Sequence, residues 1–321
     1  MVLVMVLLAV GCTYDAAGLG PSSQSTGGES STTASGEGPS PSSTSTGGVD
    51  GGTTTGGSTS GTGSSSSGSG EPGTSTGPDV PMLIDEGLLA RWYLDEAASG
   101  MAPSAVFDHQ PPEVDLPLVY DADQPRYDVV DDSRGLVWSA TQLSGRAVLD
   151  IAGTKFESEL TGATQATFEI VLSVEEVTTD LSRFIHFGDG AGGGDFAIGS
   201  PFLDRIVLRW GGSTLREFES DFGGTDRRVL HVVVDTDAGA PDDRLRAYLD
   251  GMRLPLTNPG APGQAEGLPL NQSSAITLGN RSDGTRSFRG RLQYAAIYTE
   301  VLDQAQLEHN VDVLLASDDA P

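Results

Sequence analysis

The sequence predicts an all-β domain in which two antiparallel sheets pack face to face as a sandwich. Three observations predict it. Short runs with apolar residues at alternate positions recur between residues 87 and 298. Turn clusters separate them: Gly192-Gly193-Gly194, Gly211-Gly212, Gly223-Gly224, Asp250-Gly251 and Asp283-Gly284. No strand–helix alternation that would build a parallel sheet is visible.

Taken in chain order, Gly87 to Leu94 opens the domain as a short β run. Thr154 to Thr161 has the length of two helical turns. Ala166 to Val174 alternates, with Phe168, Ile170 and Leu172 on one face. Arg183 to Phe187 is a further strand, closed by Gly188-Asp189-Gly190, and the Gly-rich stretch to Gly194 reads as a mobile hairpin loop. Arg205–Trp210, Val229–Asp235, Leu245–Asp250, Ala275–Leu278 and Arg291–Tyr298 complete the predicted strands. Asp250-Gly251 is a hairpin signal, because glycine accepts the positive φ of a tight turn. Gly290 marks a bulge or a close backbone approach. Val301 to Leu315 predicts a closing helix, with Leu302, Leu307, Val311 and Leu314 near helical spacing. This helix is expected to cover a sheet edge or end.

The chain before residue 82 is of another kind. Met1 to Val10 is apolar without a break. It is shorter than the roughly 20 residues of a membrane-spanning helix and has the length of a signal-peptide core. From Pro21 to Pro78, 46 of 58 residues are Gly, Ser or Thr. So little apolar surface cannot offset the entropy of ordering. Residues 12–81 are therefore expected to form a disordered tether, whose stretch from Pro21 to Pro78 spans about 40–45 Å end to end. Its Ser and Thr are open to O-linked sugars. Residues 82–316 are the expected folded domain, and 317–321 a short acidic tail.

Charge and cysteine content narrow the function classes. The chain has 45 acidic and 18 basic residues, a net of −27; from Met82 onward the balance is 39 to 18. Such a surface repels phosphate backbones, so nucleic acid is not an expected partner. A single Cys makes neither an internal disulfide nor a Cys-rich zinc site.

Two resemblances follow from particular residues. Leu8-Ala9-Val10-Gly11-Cys12 resembles the lipobox of bacterial lipoproteins. The resemblance implies a signal peptide at 1–11, cleavage before Cys12 and lipidation of that residue. It departs from the pattern in having no Lys or Arg ahead of the apolar run. It also implies anchoring in the outer membrane, at the cell surface or on the periplasmic face. Within the folded part, Gly87-Leu88-Leu89-Ala90-Arg91-Trp92-Tyr93-Leu94-Asp95-Glu96 resembles the opening strand of bacterial laminin G-like domains. Arg244 to Gly251, Ile276 to Arg281 and Phe288 to Tyr298 resemble their later motifs, in the same order. The implied fold is the concanavalin A-like lectin/glucanase jelly roll. That fold hosts lectins, adhesion modules and hydrolases, so it does not assign a function.

Candidate chemistry is sparse. A glucanase of this fold carries carboxylates at alternate strand positions. The strand from Glu169 to Glu176 has Val171 where the middle acid belongs, and adjacent Glu175 and Glu176 are expected on opposite faces. His186 and His231 sit inside apolar runs, as packed and hydrogen-bonded residues rather than bases. His109 lies in a Pro-rich loop and His309 in the terminal helix. Trp92, Trp138 and Trp210 are expected in the core. No catalytic residue is assigned and the chain is expected not to be an enzyme. Calcium is the expected cofactor, if any, because it takes carboxylate and loop-carbonyl oxygens. The laminin G-like resemblance implies Asp195 as its first ligand, with Asn280 or Asp283 as the second. The expected function is a surface lipoprotein module binding glycans or extracellular proteins through its rim loops. A carbohydrate-active enzyme and a purely structural envelope protein are the alternatives.

Overall fold

The computed structural model describes residues 82–94, 103–120, 125–130, 133–139, 141, 145–190 and 194–316. The signal-peptide segment 1–11, Cys12, the tether, the acidic tail and residues 191–193 of the Gly-rich loop lie outside the described residues.

The chain runs β1 (Leu88–Tyr93), β2 (Ala105–Val106), β3 (Leu116–Val119), β4 (Arg126–Val130), β5 (Ser133–Trp138), β6 (Arg146–Asp150) and α1 (Lys155–Leu160). It continues with β7 (Gln165–Val177), β8 (Ser182–Gly188), β9 (Phe196–Phe202), β10 (Arg205–Trp210), β11 (Ser213–Glu219) and β12 (Arg228–Asp235). The last elements are β13 (Leu245–Leu249), β14 (Met252–Arg253), β15 (Leu256–Asn258), β16 (Ala275–Leu278), β17 (Phe288–Tyr298) and α2 (Gln304–Ala316). One sheet has the order β14-β13-β12-β7-β17-β5-β4, with β1 also on β17; the other has β15-β11-β10-β9-β8-β16-β6-β3-β2. The ladders pair antiparallel and the two sheets form the expected sandwich. No described helix is long and apolar enough to cross a membrane.

Alternation sets what each face buries. Along β7, Ala166, Phe168, Ile170, Leu172 and Val174 enter the inter-sheet core, as do Leu230, Val232 and Val234 of β12. Phe168 stacks on Phe196 of the opposite sheet with ring centroids 5.0 Å apart. Trp92, Trp138 and Trp210 are all core residues. The intervening residues form a second apolar layer on the outer face of the first sheet. There Val171, Val229, Val233, Tyr248, Tyr294 and Tyr298 meet Leu307, Val311 and Leu314 of α2. The closing helix thus covers a sheet face, not an edge or end. The reason is that β7, β12 and β17 are apolar on both sides, as strands buried on both faces must be.

Local chemistry explains the short elements. Thr154 caps α1 by accepting from Phe156 N (3.2 Å), and Lys155, the sole lysine of the chain, forms a buried ion pair with Asp108 (2.6 Å). Asp250 (φ 50°) and Gly251 (φ 78°) make the hairpin between β13 and β14. Of the expected strands, all eight are present. The missed ones, β2 to β6 among them, are short or lack clean alternation.

Candidate functional site

A bulge shapes one wall of an open cleft. The β7–β17 register shifts twice, between Leu292 and Tyr294 and again at Arg289/Gly290, where Arg289 faces Glu176 and Gly290 faces Val174. Glu175 is the extra residue. Gly290 permits the distortion: its φ is +152°, and a Cβ there would stand 2.2 Å from Ser173 O. The consequence corrects the sequence reading, which set Glu175 and Glu176 on opposite faces. Both carboxylates pair with one side chain, Arg289, at 3.1 Å each. Strand alternation fails at a bulge because one residue adds no turn-over of the pleat.

These glutamates line one wall of an open cleft of about 640 Å³. The β9–β10 hairpin supplies the other wall through Pro201, Phe202, Leu203, Asp204 and Arg205. Phe202 is 49% exposed, and the Arg205 guanidinium lies over its ring, 5.9 Å from the centroid. Glu217 fixes Arg205 at 2.9 Å. The cleft therefore combines an aromatic surface with carboxylates and a guanidinium. Such a set can stack on the C–H face of a sugar ring and bond its hydroxyls. Sequence reasoning missed Phe202. The available signal was an aromatic residue in a Pro-Phe-Leu-Asp turn, where a sandwich has no core to bury it.

The residues implied for calcium have partners of their own. Asp195 precedes β9 and accepts from Ser274 Oγ (2.5 Å) and Asn271 Nδ2 (3.5 Å). Asn280 is fully buried, and its Oδ1 accepts the backbone N–H of Arg281 (2.8 Å) and Arg286 (2.7 Å). Asp283 accepts from Arg281 Nε (2.9 Å) and from Thr285. Its burial opposes ionisation, but these bonds hold the carboxyl down at about 2. Among the described residues, no three His, Cys, Asp or Glu side chains come together to hold a metal.

The histidines divide. His231 is buried and hydrogen-bonded, Nε2 lying 2.7 Å from Glu169 Oε2. Asn310 Nδ2 donates to the same oxygen (2.8 Å) and the Tyr298 hydroxyl to Glu169 Oε1 (3.2 Å). This network ties β7, β12, β17 and α2 together beneath the helix, where no substrate reaches it. His186 is packed but, against expectation, not hydrogen-bonded: neither ring nitrogen has a partner among the described residues. Burial first, then Arg183 and Arg281, push its imidazole down to about 3, so it is neutral at pH 7. His309 Nε2 lies 2.7 Å from Met82 O on the surface, and the His109 ring meets Tyr93 edge-on.

No family model matches the chain, and no curated protein is similar to it in sequence. The fold is shared with solved structures. A Trypanosoma rangeli sialidase in complex with the inhibitor DANA is similar at a TM-score of 0.50 and 16% identity, over 71% of this chain and 33% of the sialidase. The binding domain of botulinum neurotoxin DC, in complex with rat synaptotagmin II, is similar at 0.50 and 8%, over 71% of this chain and 52% of that one. The serotype D/C VPI 5993 binding domain gives the same values. The chain thus spans about a third to a half of the proteins it resembles. The expectation that it is not an enzyme is corrected: its sandwich recurs within sialidase chains, so the fold gives no ground for excluding catalysis. The two glutamates placed apart in the sequence reading also share one cleft. At these identities the similarity establishes the all-β sandwich.

Proposed function

We propose that the chain is a surface-anchored carbohydrate-recognising module whose glycan seats in the cleft between the β7 bulge and the β9–β10 hairpin. The observation that carries this reading is Phe202, an exposed aromatic ring in a cleft with Glu175, Glu176 and Asp204. A laminin G-like fold, lipidation at Cys12 and a tether over 12–81 belong to the same proposal. Together they hold the domain clear of the membrane, outside the cell or in its envelope.

A second reading, glycoside hydrolysis, is favoured by the carboxylates lining the same cleft, since glycosidases work with a pair of them. One set of experiments separates the readings. A glycan array with the full chain should show one reproducible sugar class, with binding reduced about tenfold or more in Phe202→Ala at unchanged Tm. Fluorogenic glycosides, sialosides included, test turnover. Release of fluorophore that falls about a hundredfold in Glu176→Gln or Asp204→Asn assigns hydrolysis. An array that stays silent, with no turnover, overturns the glycan reading and leaves a protein partner.

A further inference from the structure

The molecule is acidic, yet four of its arginines gather on the outer face of the second sheet. Arg183 stands on β8, Arg209 on β10, and Arg281 and Arg286 on the loop 280–286, close enough to depress one another's charge. That loop folds back over the sheet. Arg286 O accepts from Arg183 N (2.8 Å), and Ser282 Oγ reaches Gly188 O (3.3 Å). The ladder register places Arg209, Ala197, His186 and Thr277 in one row across four strands, with Arg183 beside Gly199 in the next. Between these two arginines, β9 contributes only the small residues Ala197 and Gly199 to this face, and both are buried.

Two of the four charges are answered. Arg281 pairs with Asp283, and Arg286 with Asp180 at 3.1 Å. Arg183 and Arg209 have no ion-pair partner among the described residues; Arg183 Nη1 donates to Leu181 O (2.8 Å), but the Nε of each is buried without a hydrogen-bond acceptor. Both nitrogens of His186 and the Thr277 hydroxyl are likewise buried and unpartnered. Arg183 is only 1% exposed, and burial, followed by repulsion from Arg209, Arg281 and Arg286, lowers its guanidinium to about 9. Buried polar atoms normally have partners, and unpaired buried cations are costly. Two cations, a hydroxyl and an imidazole, all but Arg209 sealed from solvent, form a cluster that an anion completes. Guanidinium forks match the planar pair of oxygens of a carboxylate, or two oxygens of a sulfate. Arg209, partly exposed, gives the way in.

We propose that this cluster binds an acidic sugar at its Arg209 side, the carboxylate or sulfate group held between Arg183 and Arg209. The anion-binding part stands on the cationic cluster alone; the sugar part rests on the glycan reading above. The site is separate from the Phe202 cleft, which allows the two to fail independently.

The test is titration calorimetry on the full chain with glucuronate, with glucose 6-sulfate and with glucose. Saturable binding of an anionic sugar is expected, with none of glucose; which acid binds more tightly separates carboxylate from sulfate. Arg209→Gln should weaken it about tenfold or more, at a Tm no lower than wild type, because a repelling charge is removed. Arg209→Lys, which keeps the charge but loses the fork, should fall between. Phe202→Ala should bind the anion as wild type does. No binding of either acid, or Arg209→Gln binding unchanged, overturns the proposal. Loss of anion binding in Phe202→Ala overturns it as well, by moving the anion to the cleft.

Discussion

Glu169 is a carboxylate sealed under α2, and its neighbours determine what that costs. Burial disfavours its charge, but His231, Asn310 and Tyr298 bond it, and its pKa is held below the ordinary value. The sign follows directly. A carboxyl with a lowered folded pKa adds stability that is present above the unfolded value and is lost as pH falls through the folded one. His186 acts in the same direction, since the unfolded chain takes up a proton near 6.5 and the folded one only near 3. Stability should therefore fall steadily on acidification. Glu169→Ala, which strands three buried donors, should cost about 3–5 kcal/mol in denaturant unfolding at pH 7. A change within about 0.5 kcal/mol would show that the network is slack.

At the scale of elements, the β7–β17 bulge links the fold to the cleft. Gly290→Ala puts a methyl group against Ser173 O and should cost about 1–3 kcal/mol in thermal or denaturant unfolding. It should also weaken glycan binding, because Glu175 and Glu176 reach Arg289 together only through the bulge. Unchanged stability and binding would mean that the backbone reaches the same geometry without glycine. This element was half legible. A glycine inside a β run signalled a bulge or close approach, but not which partner residue becomes the extra one. The Arg183–Arg209 cluster was not legible at all. Those residues lie 26 positions apart, and only the β8-β9-β10 register brings them into one cluster.

At the scale of the whole molecule, residues 12–81 and the sandwich do different work in the proposed arrangement. One supplies reach and the other recognition. The anchor is checked at Cys12: mass spectrometry of the mature N-terminus should find residue 12 first, carrying acyl chains. An intact Met1 or an unmodified Cys12 would remove the anchor from the proposal without touching either binding site.

The sequence by itself determined the all-β class, the eight principal strands, the terminal helix, the buried Trp residues and the position of the Asp250-Gly251 turn. Each is carried by local pattern: period-two alternation, turn chemistry or helical spacing. The tertiary structure alone decided that α2 covers a face, that Glu175 and Glu176 share a side, and that Phe202 stays exposed. It also decided that Arg183 and Arg209 converge without counter-ions among the described residues. These depend on strand register and on contacts across long sequence separations, which no window of neighbouring residues contains.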